Sequence, residues 1–217
     1  MDTSKIILEA KNIESWIIEK RRTIHQHPEL MYEEFETSKL VQETLSDLNI
    51  EYENDIAITG VVGTIGDGTG PCIALRADMD ALPIHEETDI DFRSKIDGKM
   101  HACGHDCHTA MLLGAARLLK ENEKEIKGTI KLIFQPAEEG GAGGKMMRDQ
   151  GVLQNPQVEQ IYALHVAGTM PMGTLASREG TILAATSTVN ILVKGNGGHA
   201  AAPHQTLSLI HISEPTR

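Results

Sequence analysis

Residues 100–108 read Met-His-Ala-Cys-Gly-His-Asp-Cys-His, which crowds His101, His105, His108, Cys103 and Cys107 into one short stretch. Thiolate and imidazole are the ligands that a borderline-soft cation such as zinc prefers. Cys103 and His105 fall in a glycine-containing segment ahead of a helical pattern, where side chains can converge on a point and the helix amino end would help hold a thiolate. Cys107 and His108 lie inside that pattern and read more simply as a small buried residue and a satisfied polar group. A structural zinc site competes with a catalytic one. Against it, the chain has no paired C-x-x-C knuckles, and the other candidate ligands are carboxylates on distant segments.

The second signal is Glu138-Glu139, directly after the apolar run TIKLIFQPA. Adjacent residues at a strand end point in different directions, so one carboxylate can bind a cation while the other faces water that the cation activates. An acidic pair alone is usually just a solvated turn. Here it has company in Asp78 and Asp80 after the run CIAL and in His165 after IYAL. Asp78 and Asp80 share one face of an extended segment, although Arg76 offers one of them a salt bridge. His25 and His27 read as capping or surface groups with no ligand role. His199, on the glycine-dense turn Gly195-Asn196-Gly197-Gly198-His199, is displayed where loop histidines are either functional or merely solvated.

These groups need elements to position them. Ile6, Ala10, Ile13 and Ile17 predict one opening helix, and Leu40, Val41, Thr44, Leu45 and Leu48 a second. From Gly60 the texture changes to β-branched runs: VVGTI, the turn GDGTGP and CIALRAD read as a hairpin. A helix from roughly Asp106 to Glu121 follows, then the strand TIKLIF, a Gly-rich link into a short helix ending at Gly151, and the strand QIYALHV. Strand alternating with helix predicts an α/β layer with parallel neighbours, and open sheets of this kind place their ligand crevice at the strands' carboxyl ends.

Composition narrows the partners. Lys and Arg number 20 against 31 Asp and Glu, a formal charge of −11 in 217 residues, and Phe, Trp and Tyr make up only 3%. Neither a phosphate-neutralising surface nor a base-stacking platform can be assembled from that set, so nucleic acid is a poor partner, and an acidic membrane surface is disfavoured as well. No apolar run approaches the ~20 residues of a membrane helix, and the opening MDTSKIILEAKNIESWIIEK lacks the uninterrupted apolar core of a signal peptide. The expectation is a cytoplasmic protein, whose three cysteines suit metal or thiolate chemistry better than a disulfide framework.

Taken together, HQHPEL at 25–30, TGVVGTI at 59–65, RADMDALPI at 76–84, MHACGHDCHTA at 100–110, FQPAEEG at 134–140, LHV at 164–166 and GNGGHAAAPH at 195–204 resemble the amidohydrolase branch of the aminoacylase and carboxypeptidase metallopeptidases. That branch includes hippurate hydrolases and plant auxin-conjugate hydrolases. The resemblance implies a zinc-peptidase-like mixed sheet flanked by helices, and a metal-activated water that cleaves N-acyl amino acids. It further implies two divalent ions (Mn, Zn or Co) held by Cys103, His105, Glu139 and His165. Glu138 resembles the general base and acid, Asp80 the carboxylate that orients a metal-site group, and His199 an oxyanion-stabilising histidine that serves the partner subunit of a homodimer.

Relatives of that branch are longer. The resemblance implies a catalytic domain over 1–186, the start of an α+β dimerisation domain over 187–206 opening with the strand STVNILVKG, and a further ligand histidine downstream. Residues 207–217 resemble a translated sequencing adapter and are expected to be a non-native tail. Rival readings are an N-acetyl-diaminopimelate deacetylase or dipeptidase of the same fold, or an inactive metal-binding fragment.

Overall fold

The run TIKLIFQ, Thr129–Gln135, is buried at every position, as a strand covered on both faces and both edges must be. It is β4, the middle strand of a five-stranded sheet in the computed structural model, which describes residues 3–184, 189–199, 201, 202 and 204. The other strands are β1 (Glu51–Ile56), β2 (Gly60–Gly66), β3 (Cys72–Asp78) and β5 (Val158–Ala163), in the spatial order β1-β2-β4-β3-β5. β2 pairs antiparallel with both β1 and β4, whereas β3 pairs parallel with both β4 and β5. The mixed sheet is flanked by helices α1 (Thr3–Asn12), α2 (Glu14–Gln26), α3 (Phe35–Asp47), α4 (His105–Glu121) and α5 (Gly143–Asp149).

The period-2 alternation of the strands splits the core in two. Val61, Ile65, Ile130, Leu132 and Phe134 face Val41 and Leu45 of α3 and Leu112, Leu113 and Ala116 of α4. Val62, Ala74 and Ile133 point the other way, against Met147 of α5 and Val152. From β3 the chain crosses through α4 to β4 on one side, then through α5 to β5 on the other, so strand order reverses around β3. The carboxyl ends of three parallel strands meet at that reversal, where an α/β sheet leaves a crevice.

Several sequence expectations need correction. VVGTI and CIALRAD are strands but not a hairpin, because β4 inserts between them and takes the ladder of both. The hairpin is β1–β2, and EYENDI escaped notice because an exposed edge strand has little apolar face to show. The opening helix is two, broken at Ile13, which stays buried. His105 is the first residue of α4 rather than part of the irregular segment before it. Residues 189–195 of the expected strand STVNILVKG carry no strand, having found no ladder partner among the described residues. The expected non-native tail, 207–217, lies outside the described residues.

The chain divides into two units, Met1–Thr169 and Met170–Arg217. The first holds every helix and strand described above. In the second, His199 is exposed and its own ring Nδ1 accepts the Ala201 N–H at 3.1 Å. No helix among the described residues is long and apolar enough to cross a membrane.

Candidate metal centre

β3 ends at Asp78, and the chain stays extended for two more residues, so Asp78 and Asp80 both reach the crevice and both are 1% exposed. Asp78 is fixed from three sides. Arg76 Nη1 donates to its Oδ2 at 2.7 Å, His108 Nδ1 to its Oδ1 at 2.6 Å, and the Thr109 hydroxyl to its backbone oxygen at 2.8 Å. Burial raises the Asp78 carboxyl, but the His108 hydrogen bond and the Arg76 and His105 charges outweigh it and hold the group at about 2. Asp80 accepts two backbone N–H groups, Glu138 on Oδ1 and Glu139 on Oδ2, each at 2.9 Å. It therefore clamps the turn that bears both glutamates.

His108 carries a role that its place inside a helix did not advertise. With Nδ1 donating to Asp78, Nε2 is free to accept, and it takes the Val166 N–H at 3.0 Å. One tautomer ties α4 to the loop that carries His165. That loop also demands Gly104, whose φ is +86° and whose added Cβ would lie 2.4 Å from Val166 Cγ2. The sequence reading of His108 as a satisfied polar group is right, and its partners make it an organiser of the site.

His105 stands at the centre. Its ligand atoms come within 4.8 Å of those in three groupings: with Cys103 and His165, with Glu138 and Glu139, and with Asp78 and His108. It is wholly buried, yet neither ring nitrogen makes a hydrogen bond; Asp80 Oδ1 lies 3.3 Å from Nδ1 but off the donor direction. Nε2 faces Asp78 Oδ2 at 3.6 Å, Glu139 Oε1 at 3.9 Å and Glu138 Oε2 at 4.0 Å. Burial opposes a charge on His105, but Asp80, Asp78 and Glu139 more than offset it and raise its pKa.

The remaining candidates form the rim. Cys103 Sγ lies 3.4 Å from His165 Nε2, and His165 Nδ1 donates to the Val166 carbonyl at 2.7 Å, which leaves Nε2 as the free lone pair. Burial and the carboxylates of Glu139, Asp78 and Glu138 push the Cys103 thiol up to about 12, so the carboxylates overrule the help expected from the helix end. A cation is what this donor set calls for. Two donors of a tetrahedral ion, at ~2.3 Å from sulfur and ~2.0 Å from nitrogen, stand ~3.5 Å apart, close to the observed Cys103–His165 separation. The buried, partnerless ring of His105 and the partnerless Oε1 of Glu139 are the unsatisfied polar groups that an ion would satisfy.

Two functional-looking residues were misread or unread in the sequence. His25 is buried, not a surface group: Nδ1 donates to Asp106 at 2.9 Å and Nε2 to Glu86 at 3.2 Å. The hydrogen bond with Asp106 raises its pKa despite burial, and the pair ties α2 to the first turn of α4. His27 does behave as expected, donating through Nδ1 to the Thr23 carbonyl at the end of α2. Glu34 gave no signal at all in an acidic, unpatterned linker, yet it is fully buried behind the Glu138 turn.

The profile of Peptidase family M20/M25/M40 matches residues 74–214. IAA-amino acid hydrolase ILR1-like 5 of Arabidopsis thaliana is 54% identical over 188 residues, 87% of this chain and 43% of that protein. N-acetylcysteine deacetylase of Bacillus subtilis is 44% identical over 89% of this chain and 51% of its own length. The crystal structure of the Bacillus subtilis YxeP protein, described as a dinuclear metal binding peptidase of the M20 family, superposes with a TM-score of 0.74 at 45% identity, covering 78% of this chain and 48% of that one. The chain thus spans about half the length of the relatives it matches.

Proposed function

This chain belongs to peptidase family M20/M25/M40, and on that ground we propose that the longer polypeptide it represents is a metal-dependent amidohydrolase that cleaves N-acyl amino acids to a carboxylate and a free amino acid. The two relatives named above support the substrate class, since both carry an N-acylated amino acid in their names. The observation that carries the reading is the convergence on one crevice of Cys103, His105, Glu139 and His165, from three separate parts of the chain, with both ring nitrogens of His105 and Oε1 of Glu139 buried and without hydrogen-bond partners.

Those four residues would hold two divalent ions, and a mixed thiolate, imidazole and carboxylate set suits Mn, Zn or Co. The ions, when bound, supply Lewis acidity and a more acidic water. Glu138, whose side chain is 43% exposed beside His105, takes a proton from the attacking water and passes it to the departing amine. Asp80 keeps that carboxylate in place through the two N–H groups it accepts. His165 is oriented by its own bond to the Val166 carbonyl and by the His108 tether on Val166.

The proposal extends to the architecture: a catalytic domain over 1–186, a dimerisation domain begun at 187–206, and a cytoplasmic homodimer in which His199 of one copy donates to the substrate carbonyl oxygen held by the other. Elemental analysis of the chain completed to its relatives' length should find about two divalent ions per chain, with turnover of N-acetyl or N-benzoyl amino acids exceeding that of dipeptides. One ion that survives His165→Ala, or metal-independent turnover, would overturn the reading in favour of a structural site.

A further inference from the structure

The turn bearing Glu138 and Glu139 sends three consecutive N–H groups into carboxylate oxygens. Glu138 and Glu139 donate to Asp80, as described, and Ala137 donates to Glu34 Oε1 at 2.8 Å. Asp80 belongs to the crevice. Glu34 comes from the linker between α2 and α3, 103 residues away in sequence, and is 0% exposed. Its second oxygen accepts the Thr59 hydroxyl at 2.5 Å. Burying a carboxylate is costly unless its oxygens are hydrogen-bonded, and here the bond that Glu34 makes fixes a turn that would otherwise resist its own conformation. Ala137 has φ +51°, the left-handed region, in which a side chain with a Cβ is strained.

The same linker braces the crevice elsewhere. The Tyr32 hydroxyl donates to the Gly141 carbonyl just past the glutamates. Glu29 accepts the Ala81 N–H on its backbone oxygen at 2.8 Å, next to Asp80. Its carboxylate caps α3 by accepting the Glu36 and Thr37 N–H groups at 3.0 and 2.9 Å. The linker is thus anchored to α3 at one end and holds both glutamate-bearing and aspartate-bearing segments.

We propose that Glu34 is a positioning residue for Glu138, holding Ala137 in its left-handed conformation so that the Glu138 carboxylate faces His105. The inference rests on the reading of Glu138 as the proton carrier. It makes no use of charge at Glu34: a glutamine could keep an oxygen on Ala137 N–H and turn its amide toward the Thr59 hydroxyl, which can accept as well as donate.

Two measurements test it. In the 217-residue chain, amide hydrogen exchange followed by NMR should show Ala137 exchanging ~10- to 100-fold faster in Glu34→Ala, the loss expected when one buried N–H is left without its acceptor. Exchange at Leu132 and Ile133 of β4 should be unchanged, and Glu34→Gln should stay within ~3-fold of the parent at Ala137. In the metal-loaded chain of full family length, Glu34→Ala should lower kcat ~10-fold or more while KM and metal content hold. In a Glu138→Gln background the same substitution should cost less than ~3-fold, because its effect passes through Glu138. Uniform acceleration across β4, full additivity with Glu138→Gln, or equal loss in Glu34→Gln would overturn the proposal. If Glu34→Ala does not fold, Glu34→Asp, which keeps the charge and withdraws it by one methylene, takes its place with the same expected outcomes. A Glu138→Gln variant with undiminished turnover would instead remove the proton-carrier reading, leaving the Ala137 exchange to judge the Glu34 bond on its own.

Discussion

On the inner wall of the crevice Asp78, Asp80, His105 and His108 are at most 3% exposed, whereas on the rim the Glu138 side chain is 43% exposed and His165 is exposed as well. The inner wall is part of the core, and Asp78, Asp80 and His108 make hydrogen bonds that the fold itself needs. The rim groups make few hydrogen bonds with the wall and meet it through ring contacts, His165 lying edge-on to His108 at 4.6 Å and to His105 at 6.3 Å. Burial thus divides the crevice into a fixed wall and an open rim, which meet at His105 and His108. A site built this way leaves the Glu138 carboxylate open to solvent while the scaffold behind it is fixed by burial.

The sharpest break of that contrast lies in the paired glutamates. In the chain of full family length, Glu138→Gln should cut turnover by ~10²-fold or more while metal content stays, since it removes the proton acceptor and keeps the shape. Glu139→Gln should lose metal too, and elemental analysis alongside the activity assay separates them. Equal metal loss in both would erase the division of roles.

Next in size is the inner wall itself. Asp78→Ala leaves His108 and Arg76 without their buried partner, so urea denaturation of the 217-residue chain should show a loss of ~3–5 kcal/mol. His165→Ala on the rim should shift the same curve by less than ~0.5 kcal/mol in metal-free protein. Comparable shifts from both would mean that the two walls do not differ in kind.

A pH titration of stability probes the tie behind the wall. Burial raises the Asp106 carboxyl, but the hydrogen bonds from His25 and Arg21 bring it down to about 2. A carboxyl held below its ordinary value contributes stability above about pH 4 that fades as pH falls toward 2. His25, whose pKa is raised, has the opposite sign: its contribution is present below its ordinary 6.5 and is lost as pH rises through the raised value. Asp106→Asn should flatten the acid limb by on the order of 2 kcal/mol between pH 4 and 2. An unchanged acid limb would show that Asp106 bears no such load.

The smallest effect is expected at Cys107, which no potential metal grouping among the described residues includes. Cys107→Ala should move the urea midpoint by an amount equivalent to less than ~0.5 kcal/mol and leave metal content unchanged. Loss of an ion would draw it into the site.

Much of this was open to reading along the chain because the signals are local. Short β-branched and apolar runs expose β2, β3 and β4, a period of 3.6 exposes α3 and α4, and cysteine, histidine and paired carboxylates at strand ends mark where chemistry gathers. β1 was hidden because its polar face meets solvent, and the β2–β3 hairpin was misjudged because adjacency in sequence does not say which strand will insert between two others.

The amino-acid sequence by itself determined the residue types of the site and the kind and order of most elements that carry them. Arg76 beside Asp78 and Asp80 already offered one of them a salt bridge, but only the tertiary structure decided that Asp78 would take it and bind His108 as well, that His25 would join Asp106 to Glu86, and that Glu34 would reach the turn before Glu138. The bonds from His108 to Asp78, from His25 to Asp106 and Glu86, and from Ala137 to Glu34 span 30, 81, 61 and 103 residues. The physical reason is burial: a polar group taken from water must find whichever partner the packed chain brings within hydrogen-bonding distance, and no local pattern encodes which one that will be.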